Sequence, residues 1–305
     1  MIVRREEAAT VWTVEELLKW TEGYFRRLGL LSPRLDAEVL LAHVLRKKRL
    51  ELYTGYHMLV EPHERAQFRT FVERRAKHEP VAYITGSREF YSLRFEVTPA
   101  VLVPRPETEH LVDAALKAIS SAAESPAARV LDLGTGSGCI AIAIAANAKA
   151  ALVDATDLCP QALGVARRNA ALHGVLERIR FFEGDLYGAL PPAAEGYDVI
   201  VSNPPYVSAS EYSRLMPDVR LHEPQAALLD VRSSTQDGLG FYRDLAQGAS
   251  CRLRPSGVLA VEVGAGQAGA VREILASAGW LHRETIRDLG GVERVLVHAG
   301  ASRLP

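Results

Sequence analysis

Apolar positions recur at helical intervals from the start of the chain. Thr13 and Glu16 have the spacing of a capping box. Val14, Leu17, Leu18, Thr21, Phe25 and Leu28 then fall on one face of a predicted helix, which Gly29 ends. Ser32-Pro33 predicts the next start, with Ser as N-cap and Pro in the first turn of LDAEVLLAHVL (35–45). A third helical stretch begins near Glu61-Pro62 and runs through ERAQFRTFVERRAKH (64–78). Residues 1–80 therefore read as all-helical. After them the period changes. YSLRFEVTP (91–99) alternates like a strand pair, and VLVPRPETE (101–109) sets two prolines around Arg105 before a helix, HLVDAALKAIS (110–120). SSAAESPAA (120–128) is small and polar, a surface loop.

From Arg129 onward, strand, glycine turn and helix alternate. The predicted strands are RVLDLG (129–134), ALVDATD (151–157), RIRFFEGD (178–185), YDVIVSN (197–203) and GVLAVEVG (257–264), with helices between most of them. That rhythm predicts a mostly parallel sheet covered on both faces. After a last helix at about 267–279, LHRETIRDL (281–289) and ERVLVHAG (293–300) flank Gly290-Gly291, a hairpin that gives the sheet an antiparallel edge. The expected organisation is a small helical domain (1–80), a hairpin-like connector (81–110) and an α/β domain (111–305).

Composition narrows the class. With 305 residues, 48% of them hydrophobic, the chain is long enough for about two domains and too apolar for disorder. A formal charge of -1 sets aside a highly charged polymer-coating protein. No run of about 18 apolar residues predicts a membrane span, and the mixed-charge N-terminus lacks a signal-peptide core. Cys139, Cys159 and Cys251 form no CxxC pair, which excludes a disulfide framework and a cysteine zinc site and suits a reducing cytosol. Residues 1–80 carry 15 Lys+Arg against 12 Asp+Glu, so the remainder is net acidic. The one basic run, Arg46-Lys47-Lys48-Arg49, reads as a solvated helix end rather than an RNA or protein contact.

Two stretches carry chemistry. Asp132-Leu133-Gly134-Thr135-Gly136-Ser137-Gly138 follows an apolar strand and opens a helix. There, glycines let the backbone approach a ligand at the positive end of the helix. Asp157 ends the next strand 23 residues beyond Gly134, the distance of a ribose-binding carboxylate, and Asp185 ends the third, where a base contact belongs. GTGSG lacks the gap of GxGxxG, and Asp132 suits a cationic cofactor better than a diphosphate. Both points favour S-adenosyl-L-methionine over NAD. The second stretch, Asn203-Pro204-Pro205-Tyr206, runs off the fourth strand. Two prolines stiffen it, Asn203 offers a side-chain carbonyl and Tyr206 a flat face: a small site for an –NH2 on a planar plate.

Together, DLGTGSG, Asp157, Asp185 and NPPY resemble the Rossmann-like methyltransferases of planar amino and amide nitrogens, which include DNA adenine-N6 and protein glutamine-N5 enzymes. PVAYITGSREFYSLRFEVTPAVLVPRPETE (80–109), ATDLCPQALGVARRNAALHG (155–174), HEPQAALL (222–229) and DGLGFYRDL (237–245), behind a helical N-terminal domain, narrow the likeness. Over nearly the whole chain it resembles the HemK/PrmC family of release factor glutamine methyltransferases. The resemblance implies a Rossmann-like methyltransferase fold behind a substrate-docking helical domain. It also implies an enzyme that acts on the Gly-Gly-Gln glutamine of class-I peptide chain release factors. The net acidic catalytic part speaks against a nucleic-acid substrate, and with no obvious extra apolar face on either domain a cytoplasmic, metal-free monomer is expected. The expected cofactor residues are Asp132, Gly134, Thr135, Gly136, Ser137, Gly138, Asp157, Asp185, the adjoining Leu186, and Asn203. Asn203, Pro204 and Tyr206 are the expected catalytic set. Substrate contacts are expected from Asn203, Pro204, Pro205 and Tyr206, with Phe95 either near the same pocket or one more core aromatic. LDVRSSTQ (229–236) is longer than the family pattern, and Cys159 stands where Ser is common. Three other readings remain: a ribosomal-protein glutamine methyltransferase, an adenine-N6 methyltransferase, and a non-catalytic cofactor-binding adaptor.

Overall fold

The computed structural model describes residues 11–121, 127–192, 196–232 and 236–300. The middle of the expected surface loop at 120–128, part of 229–236 and the first ten residues of the helical domain lie outside that range. The chain divides into two compact units, Met1–Thr85 and Gly86–Pro305.

The first unit is helical: α1 (Val14–Arg27), α2 (Pro33–Leu45), α3 (Arg49–Thr54), α4 (Pro62–Ala76) and α5 (Val81–Thr85). The capping box closes at α1, where Thr13 N donates to Glu16 Oε2 at 2.8 Å and Glu16 N to Thr13 Oγ1 at 3.3 Å. Val14, Leu17, Leu18, Thr21 and Phe25 are buried, whereas Leu28 is the exposed C-cap and Gly29 follows it at φ 74°. Ser32 occupies the N-cap of α2 without a side-chain cap bond, so Pro33 does more to set that start. A buried Arg75–Asp36 pair at 2.8 Å ties α4 to α2. The basic run is solvent-exposed: Arg46 turns left-handed to end α2, and Arg49 opens α3 and pairs with Glu38.

The second unit begins with an antiparallel hairpin, β1 (Ser87–Phe90) and β2 (Leu93–Glu96). Its turn is Tyr91-Ser92, both at positive φ, and Tyr91 N donates to Glu109 Oε1 at 2.8 Å. The strand pair therefore sits earlier than the alternation in YSLRFEVTP predicts. There follow α6 (Glu109–Ser121), β3 (Arg129–Leu133), α7 (Cys139–Asn147), β4 (Leu152–Asp157), α8 (Pro160–Leu172), β5 (Ile179–Glu183) and β6 (Tyr197–Ser202). Two short helices, α9 (Ala209–Tyr212) and α10 (Pro217–His222), lead to α11 (Gly240–Ala249), β7 (Leu253–Glu262), α12 (Ala268–Ser277), β8 (Trp280–Arg287) and β9 (Glu293–Gly300).

The sheet runs β5-β4-β3-β6-β7-β9-β8. The first five strands are parallel, and β9 is antiparallel to both β7 and β8, as the glycine pair between the last two segments predicts. Period-two alternation sends neighbours to opposite faces. Val130 and Val199 pack with α6 and α7, Leu131 and Ile200 with α11 and α12. At the register of the strands lies the point that matters for function. Leu133 pairs with Thr156 on one side and Ser202 on the other, so Gly134, Asp157 and Asn203 are the next residues in three adjacent strands.

His298 on β9 is 1% exposed, and neither ring nitrogen has a hydrogen-bond partner; its ring lies 5.0 Å from that of His282. Burial, then His282 and Arg272, push it down to about 4 from 6.5. Between those values the unfolded chain binds more protons, so this group's contribution to stability falls as pH drops. His298→Leu should therefore gain about 2 kcal/mol relative to the parent between pH 7.5 and pH 5. Urea midpoints at the two pH values check this, and an unchanged difference would contradict it.

Candidate active site

The three strand ends open onto one cavity of about 390 Å³, within the size range of a small-ligand site. Gly134 and Gly136 line it at φ 76° and 56°, and a Cβ on either would meet open space. Gly138 has a different job. A Cβ there would lie 2.9 Å from Ile142 Cδ1 and 3.1 Å from Ala166 Cβ, so its bareness lets α7 pack against α8. The loop is pinned from below, because Gly134 N and Thr135 N both donate to Thr156 O at 2.9 Å.

Asp132 is fully buried and is not among the residues lining the cavity. Its Oδ2 accepts from Thr135 Oγ1 at 2.6 Å, its Oδ1 has no hydrogen-bond partner among the described residues, and burial pushes it up to about 7. It braces the loop from behind through Thr135, which does line the cavity, as does Ser137. Asp157 lines it too. Its two oxygens accept from Gly136 N at 2.8 Å and Cys159 N at 2.9 Å, and burial raises it against those bonds. Asp185 and Leu186 form the adjoining wall, with Leu186 at φ 43°. The open glycine cradle and the Asp157 carboxylate, with Asp132 buried behind them, fit a nucleoside cofactor with a cationic end.

On the other side the loop leaves β6. Ser202 Oγ donates to Leu133 O at 2.8 Å, locking the end of β6 to that of β3. Asn203 and Pro205 line the cavity, while Pro204 is buried beneath it. Asn203 Nδ2 donates to Thr108 Oγ1 at 3.2 Å. Tyr206 is half-buried, its phenol pushed up to about 12 mainly by burial, and its carbonyl accepts from Gln267 Nε2 at 2.9 Å. Two backbone bonds around Val207, from its N to Leu228 O and from Asp230 N to its carbonyl, fasten the loop's far end. Phe95 is fully buried in the core against Phe90 and His173, and does not line the cavity.

Several cavity residues lay outside the expected set. Arg105 and Thr108 come from a strap after the hairpin. Glu223, in the HEPQ stretch, holds that strap by accepting from Arg105 Nη2 at 2.6 Å and Val103 N at 3.2 Å. Buried Asn169 on α8 shapes the glycine loop by donating to Ser137 O at 2.9 Å. Arg232, in the longer 229–236 segment, also lines the cavity. It pairs with Asp185 and with Asp244 and lies 4.2 Å from the Phe241 ring centre. The segment that departs in length from the family pattern thus supplies a cation beside an expected cofactor carboxylate. Two prolines and the EP dipeptide were the only sequence signals for these parts. Among the described residues, no cluster of His, Cys, Asp or Glu could hold a metal ion, and no helix is long and apolar enough to cross a membrane.

Comparison with known proteins places this geometry. The family model described as PrmC N-terminal domain matches residues 16–86, and the one described as methyltransferase small domain matches residues 108–223. A release factor glutamine methyltransferase from Geobacter sulfurreducens is 41% identical over 290 residues, covering 95% of this chain and 98% of its own. One from Rhodopirellula baltica is 43% identical over 289 residues, covering 94% and 96%. Among solved structures, the hMettl16 catalytic domain in complex with the MAT2A 3'UTR hairpin 6 shares the fold. It has a TM-score of 0.52 and 15% identity, over 78% of this chain and 82% of that one.

If the cavity holds the cofactor, Asp157 is the expected acceptor in its wall. Asp157→Ala should weaken S-adenosylmethionine binding by about 10–100-fold, the cost of losing a hydrogen bond to a charged group. Isothermal calorimetry beside a melting curve measures it. Unchanged affinity in the folded variant would refute the assignment.

Proposed function

The chain belongs to the HemK/PrmC family of release factor glutamine methyltransferases, and from that premise we propose how its residues act on a glutamine side chain. The substrate in this reading is the glutamine of the Gly-Gly-Gln loop of class-I peptide chain release factors, methylated at N5. The enzyme works in the cytoplasm as a monomer, on protein rather than nucleic acid, with the helical unit docking the substrate protein.

The observation that carries this reading is the placement of Asn203. It lies beside the glycine cradle, one residue beyond the shared strand register, with its NH2 engaged by Thr108. That leaves Oδ1 as the edge available to a substrate N–H. S-adenosylmethionine, when bound, supplies an electrophilic methyl on a sulfonium. Gly134, Thr135, Gly136 and Ser137 build its cradle and Asp157 its polar anchor, with Asp185 and Leu186 on the far wall; Gly138, expected in the cradle, instead lets α7 pack against α8 behind it.

An amide nitrogen is a weak nucleophile because its lone pair is shared with the carbonyl, and no side chain deprotonates it near neutral pH. The protein's part is positioning and charge arrangement. Asn203 Oδ1 and the Pro204 carbonyl accept the two amide N–H bonds, which draws the lone pair toward the methyl group. Tyr206 holds the plane of the amide, and Pro205 stiffens the span between them. As bond formation puts positive charge on the nitrogen, both acceptor contacts strengthen, and the proton then leaves to solvent.

Purified release factor, ribosomal protein and DNA offered together with labelled S-adenosylmethionine, followed by mass spectrometry, test this. The mark should fall on the glutamine of the release factor. Label confined to the ribosomal protein or the DNA would overturn the reading, and no transfer at all would leave a binding adaptor.

A further inference from the structure

Behind Asn203 stand two buried polar side chains for which methyl transfer, as described, has no use. Thr108 precedes α6 and Glu262 ends β7; each is 2% exposed. Asn203 Nδ2 donates to Thr108 Oγ1. Val261 pairs with Ser202, so Glu262 stands beside Asn203 in the next row of the sheet, with its carboxyl acting on both the Thr108 hydroxyl and the Asn203 amide. Glu262 Oε2 is buried with no hydrogen-bond partner among the described residues. Arg294, the cation acting on it, is bonded to Asp288 at 2.9 Å. A buried carboxylate without a cation of its own is costly to keep unless its neighbours donate to it.

An ionised carboxylate only accepts hydrogen bonds, whereas an amide can turn either edge outward. With Glu262 behind it, the Asn203 amide must turn its NH2 inward. Thr108, accepting from that NH2, has its own proton left for Glu262. The opposite edge, Oδ1, then faces away from Glu262. When Glu262 is ionised, its charge behind the NH2 also favours the resonance form that concentrates electron density on Oδ1, making it a stronger acceptor.

We propose that Glu262, acting through Thr108, is a positioning residue that fixes the Asn203 amide with Oδ1 presented to the substrate amide and polarises it as an acceptor. This rests on Asn203 being the group that receives the glutamine side chain. Glu262 and Thr108 thus tune the rate of transfer more than the binding of either partner.

Steady-state kinetics of the full chain with a release factor and S-adenosylmethionine test this, together with cofactor calorimetry and melting curves. Thr108→Val and Glu262→Gln, both close in shape to the native residues, should lower kcat by about 10–100-fold, the loss expected for one charge-assisted hydrogen bond. KM for the release factor and cofactor affinity should move less than about threefold. Thr108→Ser, which restores the hydroxyl, should recover most of the rate lost in Thr108→Val. Wild-type kcat in both isosteric variants overturns the proposal, as does a parallel loss of rate, cofactor affinity and melting temperature. Asn203→Ala in the same assay separates the two levels. If it turns over normally, the reading of Asn203 fails; if it is inactive while the isosteric variants are not, only the positioning role fails.

Discussion

Leu133 stands opposite Thr156 on one side and Ser202 on the other, and the chemistry depends on that register. Parallel strands deliver their carboxyl ends to one edge of a sheet, where backbone groups run out of partners and loops begin. Here three strands end in the same row. In the next row, Gly134 opens the glycine loop, Asp157 closes β4 and Asn203 opens the Asn-Pro-Pro-Tyr loop. A slip of one residue in β6 would turn its side chains to the opposite faces and displace Asn203 from that row. Cross-links reinforce the register where it matters: Ser202 Oγ on Leu133 O, and Gly134 N and Thr135 N on Thr156 O.

Around that row, the rest of the second unit closes the site by holding pieces of distant sequence. Glu223 clips the strap that carries Thr108, Gln267 holds the Tyr206 carbonyl, and the Val207 bridge ties the loop to residues 228–230. Two buried carboxyl groups, Asp132 and Glu262, stand behind the glycine loop and the Asn203 loop, and burial pushes each up to about 7. Neither lines the cavity, and both reach it through a threonine, Thr135 or Thr108. Above about pH 7, where both are ionised, they hold negative charge behind the wall, a sound arrangement for a cationic methyl donor and for a nitrogen that gains positive charge. It places attraction nearby without offering a nucleophile to the methyl group.

Much of this was legible because the signals are local. Each chemical motif directly follows an apolar strand, so the pattern that predicts β3, β4 and β6 also predicts where Gly134, Asp157 and Asn203 emerge. The capping box at Thr13 and the glycine pair before β9 read correctly for the same reason. The helices α3 and α5 are too short for a period to show. The hairpin turn sets Tyr91 and Ser92 both at positive φ without a glycine to signal it, and is held by Glu109, 18 positions away. Thr108 with Asn203, Val103 with Glu223 and Asp185 with Arg232 meet across 95, 120 and 47 residues. Such pairs exist only once the sheet has formed, and nothing in their neighbourhoods announces them. Phe95 shows the converse, since a residue within a matching stretch proves to be core.

What remains is whether the acceptor at the end of β6 drives the transfer step itself. A single-turnover measurement with Asn203→Ala, saturated with S-adenosylmethionine and mixed with release factor, isolates that step from binding. The methyl-transfer rate should fall by about 100-fold or more while calorimetry finds cofactor affinity nearly unchanged. A wild-type single-turnover rate would contradict the account, because the substrate amide would then be held and polarised by something other than Asn203.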